Sequence, residues 1–307
     1  MPIRFTKMHG VGNDFVCLDA VREPVPAIAD LPAFARAITD RRRGVGADGL
    51  ILILPPASGV DADLRMRIFN ADGSEAGMCG NGLRCVCKYA REHGLTDARP
   101  MRVQSGDRVL SLEYTALPGG RVGLVTVDMG EPVLEADRVP VRLGADEPLI
   151  DHPVAALNAS TPLAVSGAWF KTEGVEPRMT CLSMGNPHAV WYCCDVGKVA
   201  LPALGSALEA HPAFPEGVNV HVVQVHSRAE VSVRSWERGS GLTLGCGSGA
   251  CAVCVAGVLG GRTDRHLLAH LPGGDLELHW DQQTGHVFMT GPAQEVYQGE
   301  WSGEVTK

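Results

Sequence analysis

The chain has 307 residues, 45% hydrophobic and 20% charged, and its 27 basic and 35 acidic side chains give a formal charge of −8. Those proportions exclude a disordered tail or a fibre, and the length suggests two domains, because single cores rarely grow beyond roughly 250–300 residues. An acidic balance whose longest basic run is Arg41-Arg42-Arg43 argues against nucleic acid and anionic membrane as partners, and 5 Trp, 4 Tyr and 7 Phe offer few stacking platforms for bases.

Taken in chain order, Met1-Pro2-Ile3-Arg4-Phe5-Thr6 carries no apolar signal core, and the apolar stretches 50–54 and 250–259 fall short of the ~20 residues of a membrane span. A cytosolic chain is expected, with its ten cysteines reduced. Strands are predicted at 63–69, 102–114 and 122–128, where alternating or β-branched runs are bounded by Gly, Pro or Asp. A helix over 81–93 has apolar residues at Leu83, Val86 and Ala90 and stops at Gly94. The Pro-rich stretch 131–162 opens a second half. There, strands are predicted at 218–225, 229–236 and 275–280, and a helix over 249–259 ends at Gly260-Gly261. That second helix is apolar on every side, so it must be buried.

The two halves echo each other. Cys79-Gly80-Asn81-Gly82-Leu83-Arg84-Cys85 answers Cys246-Gly247-Ser248-Gly249-Ala250-Cys251 at an offset of 167 residues, and Arg67-Ile68-Phe69 answers Arg234-Ser235-Trp236 at the same offset. Gly12-Asn13 answers Gly185-Asn186, and Gly44-Val45 answers Gly217-Val218, both at 173. Four matches in order at nearly one spacing read as a tandem duplication. The expected fold is α/β (α+β): two similar pseudo-symmetric domains, each a strand-rich, barrel-like sheet around a central helix, with the active site in the cleft between them. The expected limits are 1–126, rejoined by a C-terminal strand at about 294–307, and 127–293.

Both Cys79 and Cys246 stand immediately before a Gly-x-Gly that enters a helix. Unsatisfied amides and the positive end of the helix dipole favour a thiolate there, which lowers a thiol pKa from its usual value of about 8.5. The glycines let backbone N–H groups approach an anion. Two such thiols facing one substrate suit a reaction that removes a proton from one face of a carbon and returns one to the other, and nothing in that logic requires a cofactor. The other chemistries fail on context. Cys251-x-x-Cys254 with Cys85-x-Cys87 lies on predicted helices among apolar neighbours, unlike a zinc or redox site. Gly44-Val45-Gly46-Ala47-Asp48-Gly49 precedes an apolar run instead of joining a strand to a helix, so it is no dinucleotide loop. Five lysines, Lys7, Lys88, Lys171, Lys198 and Lys307, include none in a motif linked to the repeat.

The blocks Met8-His9-Gly10-x-Gly12-Asn13-Asp14-Phe15, Gly44-x-Gly46-Ala47-Asp48-Gly49, Phe69-Asn70-Ala71-Asp72-Gly73-Ser74, Met78-Cys79-Gly80-Asn81-Gly82-x-Arg84-Cys85, Gly185-Asn186-Pro187-His188, Gly217-Val218-Asn219, Trp236-Glu237-Arg238-Gly239 and Cys246-Gly247-Ser248-Gly249-Ala250-Cys251 resemble, in order, those of the cofactor-independent diaminopimelate epimerases. The resemblance implies epimerisation of LL-diaminopimelate to the meso form, on the route to lysine and peptidoglycan, with Cys79 and Cys246 as the acid/base pair and no metal or other cofactor. It implies His188 and Glu237 as tuners of the thiols. It further implies substrate binding by Asn13, Asn70, Gly80, Asn81, Asn186, Asn219, Glu237, Arg238, Gly247 and Ser248, and a homodimer to which Tyr297 contributes. Some members carry Gln where Gly49 stands, so that side-chain contact is absent here. Gly245 and Ser248 replace the commoner Ala and Thr. A racemase for another amino acid, such as histidine or proline, and a non-catalytic amino-acid binding protein are the alternatives. The pair Glu237-Arg238, suited to a second zwitterion on the substrate, favours diaminopimelate.

Overall fold

The computed structural model describes residues 2–23, 30–143, 148–160 and 167–303. The chain divides into two compact units, one formed by Met1–Asp128 with Thr290–Lys307, the other by Met129–Met289. The last residues of the expected C-terminal strand, 304–307, and parts of the Pro-rich stretch, 144–147 and 161–162, lie outside the described residues.

The first unit runs β1 (Ile3–Gly10), β2 (Asn13–Asp19), α1 (Leu31–Thr39), β3 (Gly49–Leu54), β4 (Leu64–Asn70), β5 (Glu75–Ala76), α2 (Gly80–Glu92), β6 (Met101–Ser105), β7 (Arg108–Ala116) and β8 (Val122–Asp128). The second runs β9 (His152–Pro153), α3 (Ala155–Ser160), α4 (Gly167–Glu173), β10 (Val175–Ser183), β11 (Pro187–Cys193), α5 (Leu201–Glu209), β12 (Asn219–Ser227), β13 (Glu230–Glu237), β14 (Gly241–Thr243), α6 (Gly247–Leu259), β15 (His266–Leu271) and β16 (Gly274–Trp280). The chain then passes along β17 (Val287–Pro292) into β18 (Gln294–Trp301), which pairs with β1.

The pairings repeat. In the first unit β1–β2 is antiparallel, β2–β3 parallel, β3–β4 antiparallel, β4–β6 parallel and β6–β7 antiparallel. In the second, β10–β11, β11–β12, β12–β13, β13–β15 and β15–β16 follow the same alternation. A helix follows the second strand of each series, and the thiol-headed helix precedes the fifth. The duplicated sequence is therefore a duplicated topology, and the fold is α/β with two similar strand-rich units.

Each unit places one helix inside its strands. Gly80 through Cys87, Tyr89 and Ala90 of α2 are buried, as are Gly247 and Gly249 through Gly257 of α6. A second helix covers the outer face. Leu50 and Leu52 of β3 share a core with Phe34, Ala35 and Ile38 of α1, whereas Ile51, between them, meets α2 at Gly82. Covered on both faces, β3 reads as an unbroken Gly-Leu-Ile-Leu-Ile-Leu with no polar side. In the second unit Val220 and Val222 of β12 likewise pack with Leu201, Leu204 and Leu208 of α5, whereas His221, between them, meets α6 at Gly249.

Several sequence expectations change in detail. The run 102–114 is a hairpin, broken at Gly106 with φ 60°, where Ser105 pairs with Arg108. The two prominent helices are accompanied by α1 and α5. Asp30 caps α1 by accepting from Ala33 N–H at 2.9 Å, and both helices carry Pro in the first turn, where no amide is needed. Against α5, Trp236 lies so close that a Cβ at Gly205 would come within 2.2 Å of its ring. Gly205→Ala is therefore expected to destabilise the protein by about 1–3 kcal/mol through overpacking, measured by urea denaturation. An unchanged midpoint would show that the contact yields.

Candidate active site

In the first unit the hairpin joining β1 to β2 turns through Val11 and Gly12, with φ 48° and 81°. A β-branched residue rarely adopts that conformation; Val11 is held in it by burial, being 2% exposed. The turn delivers Asn13 to the start of β2. In the sheet, Phe15 pairs with Gly49, and Gly49 with Asn70, so Asn13, Gly49 and Asn70 belong to neighbouring strand ends. A Cβ at Gly49 would meet the Phe69 carbonyl at 2.8 Å, so this backbone is fitted to glycine. Asn70 is exposed and donates to Ser74 Oγ at 3.0 Å.

Cys79 is the N-cap of α2, and its sulfur accepts from Gly82 N–H at 3.4 Å. Asn13 Oδ1 lies 3.8 Å from that sulfur and accepts from Asn81 Nδ2 at 3.1 Å. Gly80 and Asn81, the first residues of the helix, are both buried. Cys79, Asn13, Gly80 and Asn81 thus form one cluster. Tyr297 lies apart on β18, 45% exposed, edge-on to Phe5 at 5.9 Å.

The second unit repeats the cap. Cys246 heads α6, and its sulfur accepts from Gly249 N–H at 3.3 Å, with Ser248 Oγ at 3.7 Å. Burial differs, because Cys79 is half-buried and Cys246 is 3% exposed. The expected lowering of the thiol pKa does not hold for Cys246. Burial first, then the Glu237 carboxylate, push this thiol well above its ordinary value, outweighing the Gly249 amide and the Ser248 hydroxyl. Glu237 ends β13 and accepts from Thr243 Oγ1.

Asn186 follows Gly185, whose φ is 98°, just as Asn13 follows Gly12. Asn186 Oδ1 is 2.8 Å from His188 Nε2, and His188 Nδ1 is 2.9 Å from His221 Nε2. Both ring nitrogens of His188 are therefore committed to these partners, and neither bonds a thiol. Burial, with His221 and Arg238 adding to it, pushes His188 well below its ordinary value, and burial pushes His221 down to about 3. The pair is neutral at physiological pH. Asn219 is also engaged, donating to Pro187 O at 3.0 Å and accepting from Arg238 N–H at 3.0 Å. The exposed Arg238 donates to Glu216 O and lies over Gly217, where φ is 68°. Sequence reasoning missed His221, whose ring sits where a Cβ on Gly249 would be, 2.2 Å away. Its signal was a polar residue inside Val220-His221-Val222, a run otherwise buried on both faces.

The other cysteine pairs lie within helices, Cys85 and Cys87 in α2 and Cys251 and Cys254 in α6, all buried. Burial pushes Cys85, Cys87 and Cys254 up to about 12. These are core side chains.

The sequence profile of the diaminopimelate epimerases matches residues 5–135 and 180–296. The chain belongs to the diaminopimelate epimerase family. A protein of that name from Moorella thermoacetica is 46% identical over 97% of this chain and 99% of its own length, and another from Pelotomaculum thermopropionicum is 45% identical over the same shares. Among solved structures, a hydroxyproline epimerase from Agrobacterium vitis with bound trans-4-hydroxy-L-proline superposes with a TM-score of 0.66, at 15% identity, over 97% of this chain and 90% of that one. A phenazine biosynthesis protein from Enterococcus faecalis does so with a TM-score of 0.67, at 13% identity, over 98% and 99%. At such identities these two speak for the fold alone.

Removing the Glu237 charge should release Cys246. In Glu237→Gln the pH dependence of Cys246 alkylation is expected to move down by roughly one unit or more, followed by peptide mass spectrometry. A midpoint at or above that of the parent protein would overturn the electrostatic assignment.

Proposed function

We propose that the chain is an isomerase that converts LL-2,6-diaminopimelate to meso-diaminopimelate, with Cys79 and Cys246 acting as a two-base pair without a pyridoxal or metal step. The observation that carries the reading is the repeated cap: in each unit a cysteine sulfur closes the first turn of a buried helix by accepting the amide three residues on. Family membership, and relatives of nearly equal length named diaminopimelate epimerase, supply the substrate class.

One sulfur, as thiolate, takes the α-proton and the bond electrons remain on carbon. The other, as thiol, returns a proton to the opposite face, so the centre inverts and the two sulfurs exchange protonation states. The α-carboxylate, where charge grows as the proton leaves, is held by the first-turn amides at Gly80-Asn81 and Gly247-Ser248. Glu237, beside Cys246, raises that thiol and so keeps the proton on sulfur until the carbanion takes it. Arg238 pairs with the distal carboxylate of the substrate, Glu237 accepts from the distal ammonium, and Asn13, Asn70, Asn186 and Asn219 orient both ends without adding charge. Because both nitrogens of His188 are committed, its influence runs through Asn186 rather than directly to a thiol. Thiol chemistry of this kind belongs in the reducing cytoplasm, where cysteines outside disulfides persist.

The working unit is a homodimer built on the β18 face, where Val296 and Tyr297 are 56% and 45% exposed. Tyr297→Arg should shift the protein to monomer in sedimentation velocity; a dimer of undiminished affinity would move the interface elsewhere.

Cys79→Ala and Cys246→Ala should each lower inversion of LL-diaminopimelate by at least about 10²-fold while circular dichroism stays unchanged. In deuterated water the parent enzyme places deuterium at the inverted α-carbon. Full activity in either variant sinks the two-thiol mechanism, and turnover of a single-zwitterion amino acid in preference to diaminopimelate sinks the substrate.

A further inference from the structure

Behind Cys79 runs a line of side chains that begins on a cation and ends on an anion. Arg84, fully buried one turn into α2, donates from Nη2 to Asn81 Oδ1 at 2.9 Å and from Nε to Pro292 O at 3.2 Å. Asn81 Nδ2 donates to Asn13 Oδ1 at 3.1 Å, and Asn13 Nδ2 donates to Asp48 Oδ2 at 2.9 Å. Asp48 is anchored in turn, because Arg41 bridges Asp48 and Asp14 at 2.7 and 2.6 Å, and Lys7 pairs with Asp14 at 2.6 Å. Hydrogen bonds from Arg41 and Lys7 overcome the burial of Asp14 and hold its carboxyl at about 2, so the anchor keeps its charge throughout the working pH range. Gly10 makes room for the line: a Cβ there would lie 3.0 Å from Arg84 Nη2 and 3.2 Å from Asn81 O.

An isolated asparagine amide can turn over at little cost, exchanging oxygen for nitrogen. Neither can do so here. Turning Asn13 would set its oxygen against the Asp48 carboxylate and its N–H groups against those of Asn81. Turning Asn81 would set N–H groups against the Arg84 guanidinium. The two charges therefore fix the polarity of both amides, and the atom left facing the Cys79 sulfur is the Asn13 oxygen, at 3.8 Å. That oxygen can accept from an S–H and repels a thiolate. The second Asn13 N–H remains directed by the same lock and suits a substrate carboxylate.

We infer that Asp48 and Arg84 are positioning residues of the Cys79 half-site, the two charged ends of a relay that fixes Asn13 with its oxygen toward the sulfur. The inference rests on the reading of Cys79 as an acid/base group, yet the alkylation test that decides it uses no substrate, so the relay and the proposed epimerisation can fail separately. Asp48 is the end to change, because its side chain is 44% exposed and replacing it opens no core cavity.

In Asp48→Asn the Asn13 amide loses the anionic end of its lock and is held only through Asn81, so a larger fraction of it turns and offers N–H to the sulfur, and alkylation of Cys79 by iodoacetamide at pH 7.5 should become severalfold faster, read by peptide mass spectrometry. Asp48→Ala should do the same. Asp48→Glu, longer but still anionic, should keep Cys79 alkylation slow, which a role in packing alone would not. Cys246 alkylation should not change in any of the three. With substrate, Asp48→Asn should show a raised KM as well as a lowered kcat, because the N–H offered to the carboxylate is no longer aimed. An unaltered Cys79 rate in both Asp48→Asn and Asp48→Ala overturns the relay. So does equal acceleration of Cys79, Cys246 and the buried Cys251, which would mean that Asp48 merely holds the fold.

Discussion

Each unit is organised by a helix that is buried along nearly its whole length and begins on a sulfur. A helix start carries amides without intrahelical partners, and in a buried helix these must be met by something other than bulk water. Oxygen caps from Ser, Asp or Asn do this best and are typically worth about 1 kcal/mol. Here sulfur takes the position, at 3.4 Å in one unit and 3.3 Å in the other, and gives up part of that stabilisation. Under the proposed mechanism, what is gained is a group that can give up and take back a proton, held beside amides that an anion can use. The surrounding strands follow from the same constraint. A helix buried on all sides needs a sheet curved around it, and β3, whose outer face is covered by α1, has no polar side.

The two units solve the support of this start with different chemistry. In the first, charges surround the site: Lys7, Asp14, Arg41 and Asp48 form a continuous network, and Arg84 stands at the other end of the amide relay. Lys7 and Arg84, the buried members, are tolerated because each is paired or hydrogen-bonded. In the second, His188 and His221 form a neutral, mutually bonded pair, and the Glu237 carboxylate acts on the sulfur itself. Consequently the two thiols are not electrostatically alike, although their caps are. The half-buried one faces a fixed amide oxygen; the buried one is kept protonated by loss of solvent and by a carboxylate. The proposed alternation of roles does not require identical surroundings, only that each thiol can hold and release a proton.

The duplication was legible because it preserves glycines and cysteines at fixed spacing, and those residues are demanded by the helix start itself. The central helices and the strands around residues 64–70, 219–227 and 230–237 were legible through period and punctuation. β1 was not, because Thr6 and Lys7 are buried beside Phe5 and Met8, and a strand with polar side chains on the inside shows no alternation; nor was β2, where Phe15, Val16, Cys17 and Leu18 are buried in succession. β11 is buried at all seven positions and carries no period at all. α1 and α5 are only nine residues each, too short for a clear periodic signal. The sign of the Cys246 shift was hidden for another reason. Dipole and amides are visible in a motif, whereas burial and the approach of Glu237 from a separate strand are properties of packing.

Register shows how far the two halves have diverged at one contact. Ile51 pairs across the sheet with Ile68 and lies under Gly82; His221 pairs with Ser235 and lies under Gly249. Since 68 and 235, and 82 and 249, are each 167 apart, Ile51 and His221 occupy equivalent places beneath equivalent glycines. Both glycines are required for the same cause, close approach of a bulky side chain to the first helical turn. The first unit fills the place with aliphatic carbon, so the fold needs only volume there. The second spends it on an imidazole that bonds Ser235 Oγ at 2.8 Å and His188 at 2.9 Å. A buried imidazole loses solvation that an isoleucine would not, and it is tolerated because both of its nitrogens are met. Its polarity is therefore explained by its partners, which lead through His188 to Asn186, and not by the packing that its position has to satisfy.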